Sequence, residues 1–150
     1  MMHYLSVHDL TWINSTLAGK TLTFNYQTLE EAMAAQYSYG DSKNVAVQAA
    51  NFLNTLALKK PFAYGNRRTA FVAVAAFLNA NGYALLVDDQ EAARIVRALT
   101  DKKVTPAEAI AALAAPAAIG LRPGISLRAV VTHLFNAHTE ALQLLAPGDA

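Results

Sequence analysis

Apolar residues recur along most of the chain at helical rather than strand spacing. Ser6 is placed to cap a helix running to about Ala18, with Gly19 past its end. Thr28-Leu29-Glu30-Glu31 reads as a capping box opening a short helix to about Tyr39. Ser42 is a candidate cap for the next, in which Val45, Ala49, Phe52, Leu53 and Leu56 share one face. Pro61 and Gly65 then interrupt the chain. A strongly apolar helix is predicted from about Arg67 to Asn81, with Phe71, Val74, Ala75 and Leu78 on one side and Gly82 at its C-terminal cap. It is apolar on most sides, which predicts that it is the central helix. Asp88 with Glu91 opens a helix from about Asp89 to Thr100, and Thr105-Pro106-Ala107-Glu108 opens another. Ala111–Ala118 reads as a helix end followed by a loop. A last helix is predicted over about Ser126–Leu145. Only Lys20–Tyr26 alternates polar and apolar positions with β-branched and aromatic residues, which predicts a lone hairpin or flap.

The expected fold is therefore all-α: a compact helical bundle with a central apolar helix and a short β-flap, as a single domain over residues 1–150. Composition strengthens this reading. Alanine fills 31 positions, which suits closely packed helices and not strands. The absence of cysteine excludes a disulfide scaffold, thiolate zinc, an iron–sulfur centre and a cysteine nucleophile. The longest purely apolar run, Ala70–Leu78, is far short of the ~18 residues of a membrane span. His8, Asp9, Asn14 and Ser15 interrupt any apolar leader, so a cytoplasmic location is the expectation. A net charge of +1 gives no global drive toward nucleic acid or an anionic membrane.

That near-neutral total conceals an asymmetry. From Ser42 to Val87 there is no Asp or Glu, while Lys43, Lys59, Lys60, Arg67 and Arg68 bring the stretch to +5. Four of these cations flank one tight loop, Lys59-Lys60-Pro61-Phe62-Ala63-Tyr64-Gly65-Asn66-Arg67-Arg68-Thr69, which ends where the central helix begins. Free backbone N–H groups and the helix dipole favour an anion there. Gly65 lets the backbone approach such an anion closely, and an arginine can hold phosphate through two hydrogen bonds. Two readings follow: a phosphate or nucleotide site, or a solvated basic face with one structural arginine paired to a distant carboxylate. There is no Walker A loop and no G-x-G-x-x-G.

Pro61-Phe62-Ala63-Tyr64-Gly65-Asn66-Arg67-Arg68-Thr69-Ala70, followed by Phe77-Leu78-Asn79-Ala80-Asn81-Gly82-Tyr83, resembles the active-site segment of the Fic/Doc (Fido) family. That family's pattern is H-x-F-x-[DE]-G-N-[GK]-R. The nearest resemblance is to the death-on-curing branch, which reads H-P-F-x-D-G-N-K-R-T-A before a helix ending F-L-x-x-N-G-Y. Leu29-Glu30-Glu31-Ala32 matches that branch's upstream L-E-x-A segment, so the resemblance covers about residues 6–113. The helix at about 126–145 is expected to pack on this unit. The resemblance implies a flap beside the loop, for which Lys20–Gln27 is the candidate. It implies ATP or another nucleotide as ligand, Mg²⁺ held by the motif acid, and AMP or phosphoryl transfer to a protein hydroxyl. It also implies a target protein as partner and, in the death-on-curing branch, a separate antitoxin. The phosphate-holding positions that the resemblance implies are Phe62, Gly65, Asn66, Arg67, Arg68 and Thr69.

Two chemically critical positions depart from the family pattern, and Arg67 takes the place of its Gly or Lys. Lys60 stands where the family has its general-base His, and Tyr64 stands at the acid position. A lysine is charged at neutral pH and a poor base, and a phenol does not replace a carboxylate on Mg²⁺. The binding half of the motif is thus present and its chemical half is replaced, which makes Mg²⁺ doubtful as a cofactor. The reading that follows is a nucleotide-binding protein with impaired transfer, or pseudoenzyme. The alternatives are an active toxin using Lys60, and a non-enzymatic scaffold for a protein partner. The remaining polar and aromatic candidates read as structural. His133 and His138 lack the spacing of a zinc pair and read as surface or cap residues. His3 and His8 carry no signal. Trp12 is expected in the core, Tyr26, Tyr37, Tyr39 and Tyr64 in the core or at its rim, with base stacking as the alternative, and Lys102-Lys103 at a solvated helix end.

Overall fold

The structure, a computed structural model, describes residues 2–37, 44–118 and 125–150. Eight helices lie among these residues: α1 Val7–Ala18, α2 Tyr26–Ala34, α3 Val45–Lys59, α4 Asn66–Ala80, α5 Asp89–Thr100, α6 Pro106–Leu113, α7 Leu127–Ala137 and α8 Thr139–Leu145. Two short strands, β1 Tyr83–Leu85 and β2 Ala114–Pro116, pair antiparallel, with Ala84 opposite Ala115. None of the helices is long and apolar enough to cross a membrane.

Helix α4 is the axis of the fold. Every residue from Thr69 to Leu78 is buried, so the helix has no solvated face over its middle turns. Helices α1, α3 and α7 pack around it. Its alanines Ala70, Ala73 and Ala76 let neighbouring backbones come close, while Phe71, Val72, Val74, Phe77 and Leu78 fill the space between. Fully burying each of these larger side chains contributes roughly 1.5–3 kcal/mol. Phe77 sits edge-on to Phe52 of α3 at 6.0 Å. This is the central apolar helix that the periodicity predicts.

The cap signals are realised at α1, α5 and α6. Ser6 and Asp9 close a reciprocal box at α1, and Thr105 and Glu108 do the same at α6 with Pro106 in its first turn. Asp88 accepts from the Glu91 N–H at α5.

Four expectations are corrected. Helix α2 begins three residues before the expected box, because Asn25 caps it by accepting from the Thr28 N–H. It ends at Ala34, short of Tyr39, which lies outside the described residues, as does Ser42; the described cap of α3 is Asn44. The expected hairpin over Lys20–Tyr26 is reduced to one antiparallel bridge, Phe24 to Phe62. The sheet instead forms where Ala114–Pro116, read as loop, meets Tyr83–Leu85. Finally, the predicted helix over 126–145 is two helices, broken at His138. The His138 Nδ1 lies 2.8 Å from Asp89 Oδ1, and Asp89 Oδ2 accepts from the Ala141 N–H. A carboxylate from α5 therefore caps α8 and fixes the break, a contact that no local pattern encodes.

Candidate active-site loop

The loop between α3 and α4 is built on two left-handed residues. Lys60 follows α3 with φ 50°, and Gly65 precedes α4 with φ 78°. A Cβ on Gly65 would lie 3.3 Å from the Asn14 Nδ2 and 3.5 Å from the Arg68 guanidinium, so glycine serves both the backbone angle and the packing.

Three buried polar side chains shape the loop from inside. The Asn66 amide closes it on itself, accepting from the Phe62 N–H and donating to the Phe62 carbonyl, both at 2.9 Å. Asn14, from α1, donates to the Tyr64 carbonyl at 3.0 Å and to the Thr69 hydroxyl at 3.1 Å. Asn66, Thr69 and Asn14 are each 1–2% exposed. Phe62 is buried and tilts against Phe24 at 6.0 Å. On that side the chain before α2 joins the loop through Asn25 N–H to Pro61 O at 2.8 Å and Ala63 N–H to Thr23 O at 3.1 Å.

The seat at the start of α4 holds a carboxylate. Asp149 Oδ1 accepts from the Arg67 N–H at 2.8 Å, and Asp149 Oδ2 accepts from the Arg68 N–H at 3.1 Å and the Arg68 Nε at 2.9 Å. The Gly65 N–H donates to the Asp149 carbonyl at 3.2 Å, and Asn66 Nδ2 to the Ala150 oxygen at 3.1 Å. The Asp149 side chain is 1% exposed. Arg67 turns away from the seat and donates to the Leu145 carbonyl at 2.8 Å and the Pro147 carbonyl at 2.6 Å. Burial, then the charge of Arg97, holds its guanidinium below the ordinary arginine range, with Asp149 and Asp101 acting the other way.

Beside the seat lies a cavity of about 350 Å³ between the ends of α3 and α5 and the chain at Gly148–Ala150. Lys60, Arg67 and Lys102 line it together with Asp101. Lys60 and Lys102 are the non-glycine residues with positive φ among those described. Lys102, read as a plain solvated helix end, is thus at the rim of the candidate site.

The structure brings Lys60, Phe62, Tyr64, Gly65, Asn66, Arg67, Arg68 and Thr69 into one loop, but in different roles. Arg68 and the first amides of α4 face an anion. Asn66 and Thr69 are turned inward and hold the backbone. Tyr64 is half-buried, with its carbonyl tied to Asn14. Asp101 and Asp149 are the carboxylates among the residues lining this cavity, and Asp149 is committed to amides and a guanidinium. With Lys60, Arg67 and Lys102 around it, this donor set does not fit Mg²⁺, which prefers clustered carboxylate and phosphate oxygens. Among the described residues no group of three or more His, Asp or Glu is placed to hold a metal ion.

Sequence reasoning missed Asn14 and Asp149. Asn14 had no signal beyond being polar on an otherwise apolar helix face. Asp149 is the one acid after Glu140, but nothing in its spacing points to Arg68, 81 positions away. The distant carboxylate of the second loop reading is Asp149. Of the other candidates, His133 is exposed, His138 caps α7, and Trp12 is half-buried, not core. Trp12 lies edge-on to Phe135, under the Arg128 guanidinium at 4.4 Å.

The fold is thus mainly helical around one buried helix, with a Gly-Asn-Arg turn whose following amides meet the Asp149 carboxylate at that helix's start. The sequence model of the Fic/DOC family matches residues 4–78, half of the chain, which spans α1 through the loop into α4. The chain belongs to the Fic/DOC family. No curated protein and no solved structure matches it.

Proposed function

We propose that the loop and first turn of α4 bind a phosphate of a nucleotide, ATP or a relative, in a Fido protein of death-on-curing type whose transfer chemistry is impaired. The observation that carries this reading is the Asp149 carboxylate. Two backbone amides and one guanidinium N–H already converge on its oxygens at 2.8–3.1 Å. A phosphate offers the same kind of oxygens with more charge, so the seat is chemically suited to it. Arg68 is the pairing cation, Arg67 and Arg68 supply the amides, Gly65 opens the turn, and Asn66, Thr69 and Phe62 keep the loop in shape. The neighbouring 350 Å³ has room for more of the ligand and lines it with cations.

The impairment follows from the two replaced positions. A protonated Lys60 has no lone pair with which to accept a hydroxyl proton. It can instead attract phosphate oxygens. The Tyr64 phenol supplies no carboxylate for a metal. The acceptor of any residual transfer would be a protein hydroxyl, with an antitoxin as second partner and the cytoplasm as the setting.

Calorimetric titration of ATP, with and without Mg²⁺, tests the reading. Wild-type binding is expected to be independent of Mg²⁺ and to fall at least tenfold in Arg68→Ala. Absence of ATP binding would remove it and leave a scaffold for a protein partner. With labelled ATP, rapid transfer to protein that Lys60→Ala abolishes would replace it with an active, lysine-dependent enzyme.

A further inference from the structure

We infer that Lys60 and Lys102 form a two-lysine clamp on the outer phosphates of a nucleoside di- or triphosphate, offsetting there the charge that a divalent cation would otherwise offset; the inference rests on the nucleotide reading above. The cavity beside the seat is a poor place for a divalent cation. Lys60, Arg67 and Lys102 line it, against Asp101 and an Asp149 already committed to amides and a guanidinium. A polyphosphate in that cavity still needs its charge balanced, and a lysine ammonium binds phosphate as a compact point charge. Arg67 is occupied with the Leu145 and Pro147 carbonyls. Among the described residues neither Lys60 nor Lys102 is ion-paired.

The two lysines reach the cavity from different helices, and both stand where glycine is the usual residue. Lys60 caps α3 with φ 50°, and Lys102 follows α5 with φ 58°. The end of α5 is a complete Schellman turn: the Lys102 N–H donates to the Leu99 carbonyl at 3.0 Å and the Lys103 N–H to the Ala98 carbonyl at 2.8 Å. A Cβ is strained at such left-handed positions and glycine is not. Two helix ends that line one cavity thus both carry lysine at a cost to the backbone. A cation near a helix C-terminus gains from the dipole, but Lys103, one position further on, would serve that purpose without a left-handed backbone.

The division of labour follows from size. The seat at the start of α4 takes one phosphate. The adjoining 350 Å³, within the roughly 300–1,000 Å³ of small-molecule clefts, takes the phosphates beyond it. AMP, with a single phosphate, leaves the lysines unused.

Glycine substitution separates this clamp from a structural role, because it relieves the backbone while it removes the ammonium. The full chain is titrated with ATP and with AMP, with and without Mg²⁺, as wild type, Lys60→Gly, Lys102→Gly and the neighbouring-charge control Lys103→Gln. Urea midpoints of both glycine variants are expected to stay level or rise, which excludes misfolding as the cause of any loss. Each glycine variant is expected to bind metal-free ATP at least fivefold more weakly and AMP less than twofold more weakly. Lys103→Gln should change either affinity less than twofold. Mg²⁺ should leave wild-type affinity unchanged and recover part of the loss in the variants. Unchanged ATP affinity in either glycine variant would overturn the clamp, as would equal losses for ATP and AMP, or a loss in Lys103→Gln as large as that in Lys102→Gly. Tighter wild-type binding of ATP with Mg²⁺ would also overturn it. In all these cases ATP binding that depends on Arg68 leaves the nucleotide reading standing. No ATP binding by the wild type would remove both.

Discussion

Both ends of α4 are tied to a segment from the far end of the chain, but by different chemistry. At the C-terminal end the Asn81 amide pairs with neutral backbone: it accepts from the His3 N–H and donates to the His3 and Phe77 carbonyls, all at 2.8 Å. Gln36 grips Leu5 in the same two-way manner at 2.9 and 2.7 Å. These contacts are saturated and neutral, and no small ligand could substitute for a stretch of backbone. At the N-terminal end the tie is a charge, Asp149, set against amides and the Arg68 guanidinium. That place is held by charge and not by neutral backbone. A neutral two-way amide fastens one end of the helix, and a buried carboxylate set against amides and a guanidinium fastens the other.

Substitutions in α4 and at its ends probe this difference. The largest effect is expected from Phe77→Ala, which empties a fully buried position near the C-terminal end of α4. It should cost about 3–5 kcal/mol, read as a lower urea midpoint. A cost under about 1 kcal/mol would mean that α4 is not the structural axis. Asn81→Ala comes next: it leaves the His3 N–H and carbonyl unpaired and should cost about 1–3 kcal/mol. ATP affinity should not move. A loss of affinity in this variant would show that the two ends communicate through the helix. The smallest effect is that of acid on helix caps remote from either end. The Arg94 hydrogen bond holds the Glu91 carboxyl below the usual 4.5, and hydrogen bonds from Thr105 do the same for Glu108. A lowered folded value means that this stability is present above about pH 4.5 and is lost as pH falls through the folded values. A series of urea midpoints from neutral to acid pH should therefore show a shallow decline confined to that window. A steep decline beginning higher would implicate groups outside these caps.

The loop shows how far sequence reading reached. Its basic, helix-opening character was legible because cations, glycine and a helix start are adjacent in sequence. The inward roles of Asn66 and Thr69 were not, because a resemblance marks a position and not the direction in which its side chain turns. The flap was over-read: Lys20–Tyr26 has strand-like alternation, but only Phe24 finds a ladder partner. The sheet was under-read, since Ala114–Pro116 has little strand preference and pairs because Tyr83–Leu85 passes beside it.

The sequence by itself determined the helices with strong local signals, the buried axis α4 and the basic loop before it, because capping, periodicity and charge act over a few residues. Only the tertiary structure decided what sits on that loop. Asp89 breaks the last helix at His138, α8 turns back toward α5, and Asp149 arrives at amides some eighty positions away. A contact of that range is set by the packing of whole helices, and no spacing within a single segment encodes it.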